Sequence, residues 1–290
     1  MSNAPPTMIG ITLPDVDVWS ERVTVALGQN PSVFTGPGTN TYLVGTGEER
    51  ILLDTGSGHA EYLPVLDEAL ARAGCRIQEI VLTHGHPDHI GGAAGVIERH
   101  GALRVSKRPF GGFDDRHPVE VTAIGDGDVL RTEGATLRAV HTPGHSVDHL
   151  CFVLEEEGSL FSGDNVLGVG TTVIPAEGGD LLDYMRSLDR LLGEAPTAIY
   201  PAHGPKIDDG VAKIREYIAH RNQREEQILA AMGDGRATIP DIVSLVYAAY
   251  PESLQIAARS SVASHLLKLE REARVAREGD DPLAARWTLA

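Results

Sequence analysis

Cysteine is almost missing from this chain: two in 290 residues, Cys75 and Cys151. That excludes a disulfide framework, which staples small secreted folds with many more bridges per residue. Cys151 lies in an apolar run and reads as a small buried residue, and the cytoplasm is the default compartment. Long hydrophobic runs are also missing. No stretch approaches the ~20 apolar residues that cross a bilayer, so no membrane span is expected. Residues 1–19 lack a basic segment followed by an apolar core, and they carry Asp15 and Asp17 without an arginine. A secretory signal and a mitochondrial transit peptide are therefore not expected. Positive charge is scarce, with 25 Lys and Arg against 41 Asp and Glu and a net charge of −16. The deficit is uneven. Residues 1–220 hold 16 basic against 31 acidic side chains, a net of −15, whereas residues 221–290 hold 9 against 10, a net of −1. An acidic surface repels phosphate backbones at long range, which weakens a nucleic-acid substrate without removing it.

Hydrophobic patterning divides the chain near residue 208. Before it, short β-like runs alternate with loops and helices: 22–27, 41–44, 51–53, 77–82, 103–105, 137–140, 150–154, 159–161 and 198–200 read as strands. Residues 61–73 and 181–192 read as amphipathic helices, and 90–100 as one glycine-containing helix. Strands mixed with helices, some joined by hairpins, predict two sheets sandwiched between helices. After it come a long charged helix over 211–232, helices over 239–249 and 257–272, and an extended segment at 274–277. Three helices followed by a ribbon resemble a winged-helix module. The expected division is a catalytic domain at 1–207 and a helical, winged-helix-like domain at 208–290.

The chemistry is concentrated in Thr83-His84-Gly85-His86-Pro87-Asp88-His89. Four metal-binding side chains fall within six residues, directly after the apolar run Ile80-Val81-Leu82. Imidazole and carboxylate are the ligands that borderline divalent ions such as zinc prefer. In extended backbone, a two-residue spacing sends His84 and His86 to one side. Pro87 fixes a turn, and Asp88 is expected at the N-cap of the following helix, which would aim Asp88 and His89 at a second ion. Three further candidates sit at strand ends between glycines and prolines: His145 in His141-Thr142-Pro143-Gly144-His145, Asp164 in Phe161-Ser162-Gly163-Asp164-Asn165, and His203 in Pro201-Ala202-His203-Gly204-Pro205. Seven side chains would serve two metals that shared a carboxylate and a hydroxide. Two divalent cations, with zinc first, would add about +4 to this acidic region.

The order THxHxDH, TPGH, SGD and PAHGP is similar to that of the metallo-β-lactamase superfamily. The resemblance implies an α/β fold, the four-layer αββα sandwich, with a dinuclear metal site at one edge. It also implies that His84, His86 and His145 hold one ion, that Asp88, His89 and His203 hold the other, and that Asp164 bridges them. Redox relatives with a diiron site usually carry Glu where His86 stands, and no flavin-like module is present, so hydrolysis is expected over oxidoreduction. Beyond the ligands, GTNTYLVGTG (38–47), TEGATLR (132–138), GTTV (170–173), DYMRSL (183–188) and HRNQREEQIL (220–229) resemble the lactamase-like endoribonuclease group and its bacterial relatives. Fungal polyketide-releasing thioesterases share much of that frame. The similarity runs roughly over residues 20–275 and specifies the superfamily better than the substrate, because one fold hosts many reactions.

Two substrate classes follow. In the first, a hydroxide held between the metals attacks an acyl bond of a small ester, lactone, thioester or β-lactam, with Asp88 or Asp164 accepting or relaying a proton. In the second, the same centre cuts single-stranded RNA. The acidity of residues 1–220 ranks the acyl substrate first. A non-enzymatic alternative makes the metal structural and the tail a binder of nucleic acid or of a partner. Structural zinc sites are usually closed and rich in cysteine, and this cluster contains none. The tail could also wall the cleft or form a homodimer contact. Lys268, Arg271, Arg274 and Arg277 recur every third residue; they are either a phosphate-contacting row or, by preference, a solvated face interleaved with Glu270 and Glu272. Asp54, in Leu53-Asp54-Thr55-Gly56, is expected to orient a ligand imidazole rather than merely form a turn. Thr39, Asn40 and Tyr42, with the 30–38 loop, are either a lid or a turn entering a strand. His59, His100, His117, His141, His149, His220 and His265 are expected to be ordinary packing or surface residues.

Overall fold

A computed structural model of the chain describes residues 8–249 and 255–290; part of the N-terminal reading thus lies outside the described residues. In chain order the elements are β1 (Val16–Ser20), β2 (Val23–Leu27), β3 (Asn40–Val44), β4 (Glu49–Leu53), α1 (Tyr62–Ala73), β5 (Arg76–Val81), α2 (Pro87–Ile90), α3 (Ala93–His100), β6 (Val105–Lys107) and β7 (Val121–Ala123). They continue as β8 (Val129–Thr132), β9 (Ala135–His141), β10 (Leu150–Leu154), β11 (Ser159–Gly163), α4 (Leu181–Gly193) and β12 (Ile199–Pro201). The tail supplies α5 (Gly210–Gly233), α6 (Ile239–Val246), α7 (Gln255–Arg271), β13 (Val275–Glu278) and β14 (Arg286–Leu289).

Strands β1 to β7 form one sheet in sequential order, antiparallel through β4 and parallel from β4 to β7. The second sheet has the order β12-β11-β10-β9-β8, parallel only between β11 and β12. Strand alternation assigns the faces. Ile51 and Leu53 of β4 meet Leu137, Phe152 and Phe161 between the sheets, while Leu52 turns towards Tyr62 and Leu66 of α1. Likewise Phe152 of β10 points between the sheets, and Cys151 points out onto Tyr184 and Leu188 of α4. The result is the expected αββα sandwich. A separate core of Ile228, Ile242, Val262, Leu266 and Trp287 holds the tail helices to the β13–β14 hairpin, which is the winged-helix arrangement.

Three local readings are corrected. The single helix expected over 90–100 is broken at Gly91-Gly92, where Gly92 N–H donates to the Gly56 carbonyl at 3.1 Å rather than continuing the helical ladder, and a Cβ on Gly92 would lie 2.0 Å from the Thr55 carbonyl oxygen. The backbone after β4 occupies that space, and no side chain fits. Asp88 is not an N-cap: His86 has the extended cap conformation, Pro87 opens the helix, and Asp88 sits within the first turn. The strand expected at 103–105 lies at Val105–Lys107, where pairing with Ile80 and Val81 fixes it. Among the described residues, no helix is long and apolar enough to cross a membrane.

Candidate metal centre

Parallel pairing brings the site together. β4 and β5 run side by side with Leu53 opposite Val81, so the residues that follow them, Asp54 and Thr83-His84, emerge at the same edge. β11 and β12 pair with Gly163 opposite Pro201, which brings Asp164 and His203 together. His145 arrives from the loop after β9. Two groups form. The candidate ligand atoms of His84, His86 and His145 lie within 4.8 Å of one another, as do those of Asp88, His89, Asp164 and His203. Asp164 faces both groups: its Oδ1 is 3.1 Å from His203 Nε2 and 3.4 Å from His89 Nε2, and its Oδ2 is 3.4 Å from His145 Nε2. Asp88 Oδ2 is 3.3 Å from His203 Nε2. All seven sequence candidates are therefore gathered at one edge of the sandwich.

The donor set fits two cations. His84 Nε2, His89 Nε2 and Asp164 Oδ1 are buried without a hydrogen-bond partner. Three such atoms facing one another would be costly in a fold that offered them nothing. The electrostatics agree. Burial first, then the neighbouring imidazoles, hold His84 well below the ordinary histidine range and His86 down to about 4, so both are neutral. Burial would raise Asp88 and Asp164, but His89 and His203 outweigh it: Asp88 falls to about 2 and Asp164 falls well below the carboxylate range. Burial opposes a charge on His89 and His203, yet Asp54, Asp88 and Asp164 push His89 well up, and Asp164 and Asp88 push His203 up to about 9. The acidic half of the site thus draws positive charge onto its own histidines, as ligands suited to cations do when they hold protons instead.

A ring of supporting contacts fixes the ligands. Asp54, held at φ +60°, accepts from Thr83 N–H at 2.8 Å, from the Thr83 hydroxyl at 2.9 Å, and from His89 Nδ1 at 2.8 Å. This is the orienting role expected of it. His145 Nδ1 donates to the Val173 carbonyl at 2.9 Å. Thr39, Asn40 and Tyr42 enter a strand. They are buried, and Asn40 Nδ2 donates to the carbonyls of Pro201 and Gly204, bracing the His203 loop. Val33 and Phe34 of the preceding loop do line the cleft.

Two supports escaped sequence reasoning. His149, taken as an ordinary residue, is fully buried. Its Nε2 accepts from the Asp164 N–H at 3.0 Å, Thr142 Oγ1 lies 2.9 Å from its Nδ1, and its ring centroid is 5.0 Å from that of His84. At Gly163 (φ +50°) a Cβ would lie 2.6 Å from His149 Nε2, so glycine is required there. The available signal was a polar residue heading β10, a strand buried at every position. The second support is Lys107, also fully buried, which contacts Asp148 at 2.7 Å and Asp114 at 2.9 Å beneath Gly85. His220, also read as ordinary, lines the cleft. The C-terminal basic row is neither unengaged nor simply a solvated face: Lys268 pairs with Glu225 and Glu272, Arg271 with Asp180, Arg274 with Glu225, and Arg277 with Glu270.

Comparison with known proteins extends the likeness over both parts of the chain. Residues 34–203 match the metallo-β-lactamase superfamily model, and residues 238–287 match the β-lactamase-associated winged helix domain. Lactamase-like protein adaB of Aspergillus niger is 41% identical over 289 residues, covering 95% of this chain and 88% of that one. The atrochrysone carboxyl ACP thioesterase of Claviceps purpurea is 41% identical over 244 residues, covering 81% and 75%. The crystal structure of a metallo-β-lactamase family protein from Thermus thermophilus superposes with a TM-score of 0.71 at 28% identity, over 87% of this chain and 94% of that one. Matches that run through both the sandwich and the tail leave one assignment: the chain belongs to the metallo-β-lactamase superfamily and is a hydrolase.

Proposed function

We propose that this hydrolase uses two divalent metal ions to cleave an acyl bond of a small substrate, with a thioester as the first candidate. The observation that carries this reading is the cleft. About 400 Å3 in volume, it opens onto His86, Asp88, His145, Asp164 and His203, and aliphatic side chains such as Leu167, Val169 and Val173 form much of its wall. That size and lining suit a small, largely apolar molecule presented to a polar centre. The similarity to a protein named as a thioesterase points the same way.

In this reading His84, His86 and His145 would hold one ion and Asp88, His89 and His203 the second, with Asp164 within reach of both groups. When bound, divalent ions of this kind supply Lewis acidity and bring the pKa of water from about 15.7 towards 7. Zinc suits the nitrogen-rich donor set. The chain's own residues do the rest. Asp54 keeps His89 in the tautomer that leaves Nε2 facing the centre, and His149 fixes the backbone that carries Asp164. Asp88, held ionised and partly open to the cleft, accepts the proton released by the attacking water and delivers it to the leaving group. Aliphatic walls exclude bulk water from the acyl chain.

The alternative, single-stranded RNA, lacks comparable support. The basic row that would track a phosphate backbone is engaged in ion pairs within the chain. The test is to incubate zinc-loaded protein with labelled single-stranded RNA and with a panel of thioesters, esters, lactones and β-lactams. Turnover within the acyl panel and intact RNA are expected. Cleaved RNA with an untouched acyl panel would reverse the reading.

A further inference from the structure

The same cleft has a second polar patch, contributed by the C-terminal module. His220, Arg221 and Arg224 of α5 line it there. Arg221 is only 5% exposed. A guanidinium taken out of water needs partners for its charge and its donors. Arg221 is incompletely supplied. One terminal nitrogen donates to the Thr172 carbonyl, and the group lies over the Tyr184 ring with 5.4 Å to the centroid and interacts with its hydroxyl oxygen. Its Nε is buried with no hydrogen-bond partner, and so is Nδ1 of His220 beside it. The carboxylates nearby on α5 face elsewhere: Glu216 pairs with Lys213, and Glu225 with Lys268 and Arg274. Among the described residues, no carboxylate pairs with Arg221. In a chain with 41 acidic side chains against 25 basic ones, a buried arginine left without a carboxylate on a cleft wall is poised for an anion that arrives with the ligand.

We propose that Arg221 and His220 form an anion-recognition subsite on the cleft wall that the C-terminal module contributes, so that the substrate is an apolar acyl compound bearing a carboxylate or phosphate. The identity of the reacting bond rests on the acyl-hydrolase reading above; the subsite itself rests on the two unpartnered nitrogens. Arg221 touches the anion, Leu167, Val169 and Val173 flank the apolar body, and the acyl carbon lies at the metal ligands. The Arg221–Thr172 bond also holds the segment whose next residue, Val173, supplies the carbonyl for His145 Nδ1. Recognition and ligand positioning therefore share one short segment.

The test uses zinc-loaded full-length protein and N-acetylcysteamine thioesters of equal chain length that end in methyl, carboxylate or phosphate. Hydrogen bonds to charged groups predict a kcat/KM about 10- to 100-fold higher for an anionic end than for methyl in the wild type. Which of carboxylate and phosphate shows the gain identifies the group. In Arg221→Gln the ratio should fall close to one, and in the exposed helix-surface control Arg215→Gln it should stay at the wild-type value. A wild-type ratio near one, or an unchanged ratio in Arg221→Gln, overturns the proposal. Should Arg221→Gln fail to fold, Arg221→Lys and His220→Gln should each lower the ratio several-fold, and no change in both overturns it. If no thioester is turned over, the acyl reading fails separately. The subsite is then read by calorimetry with hexanoate and hexyl phosphate against hexanol: tighter binding of an anion, lost in Arg221→Gln or His220→Gln, supports it, and equal or absent binding overturns it.

Discussion

Asp54→Ala should damage both the stability of the sandwich edge and its grip on metal. The carboxylate is 2% exposed and accepts from Thr83 N–H, the Thr83 hydroxyl and His89 Nδ1. The hydroxyl can turn to His84 Nδ1, 3.1 Å away, and its oxygen can accept from His89 Nδ1 at 3.2 Å, but Thr83 N–H would be left buried without an acceptor. At ~1–3 kcal/mol for a buried unsatisfied donor, the loss is about 1–3 kcal/mol. The freed imidazole of His89 can then rotate or change tautomer, and loss of such an orienting partner typically weakens metal binding by about 10- to 100-fold. Urea denaturation of metal-free protein gives the first quantity, and competition with a chromophoric chelator gives the second. Asp54→Asn, which keeps one accepting oxygen, should fall between Ala and wild type. If Asp54→Ala unfolds within about 0.5 kcal/mol of wild type and holds metal within twofold, the inferred orienting role is wrong.

Lys107→Met should cost about 3–5 kcal/mol in denaturant midpoint analysis, because it leaves Asp148 and Asp114 buried against an uncharged chain; a loss below about 1 kcal/mol would show that the pair is not balanced by this lysine. His149→Phe should fold yet lower turnover at least about tenfold, since Asp164 N–H loses its acceptor; wild-type kcat/KM would remove His149 from the support of the site. His265 is buried in the tail core with both ring nitrogens unpartnered, and burial first, then Arg221 and Arg224, hold it well below the ordinary histidine range. Its folded pKa lies below its unfolded value, so the unfolded chain takes up a proton that the fold refuses. Stability is therefore intact above pH ~6.5 and is lost below it by up to about 1.4 kcal/mol per pH unit until the folded pKa is reached. His265→Leu should flatten that loss between pH 7 and pH 5 in thermal melts; parallel wild-type and variant curves would contradict it.

The ligands were legible because their chemistry is local. Each is a residue of the right type in a loop or short helix that follows an apolar strand, and ordinary strand pairing gathers those strand ends. Asp54 was legible for the same reason, as a carboxylate released by β4. His149 was not, because its role exists only where the ends of β9, β10 and β11 meet, and nothing in Asp148-His149-Leu150 distinguishes a support from an ordinary core histidine. The interruption at Gly91-Gly92 was equally hidden: the Gly56 carbonyl that takes the Gly92 N–H, and the Thr55 carbonyl that leaves no room for a side chain, lie far back in the sequence. The basic row showed its spacing but not its partners, since Asp180 and Glu225 reach it from elsewhere in the fold. Strands β1 and β7 were missed because as sheet edges they keep exposed or half-buried positions and carry little hydrophobic signal.

The proposed function requires two divalent cations at His84, His86, Asp88, His89, His145, Asp164 and His203 for hydrolysis of an acyl bond. The direct measurement is thioester turnover as zinc is titrated back into chelator-stripped protein, with bound metal quantified at each point. Turnover should be absent in the stripped protein, rise with added zinc and level off at two equivalents per chain, and Asp164→Ala should lower both the plateau and the stoichiometry. Full turnover by the stripped protein, or a plateau that leaves Asp164→Ala unaffected, would contradict the account.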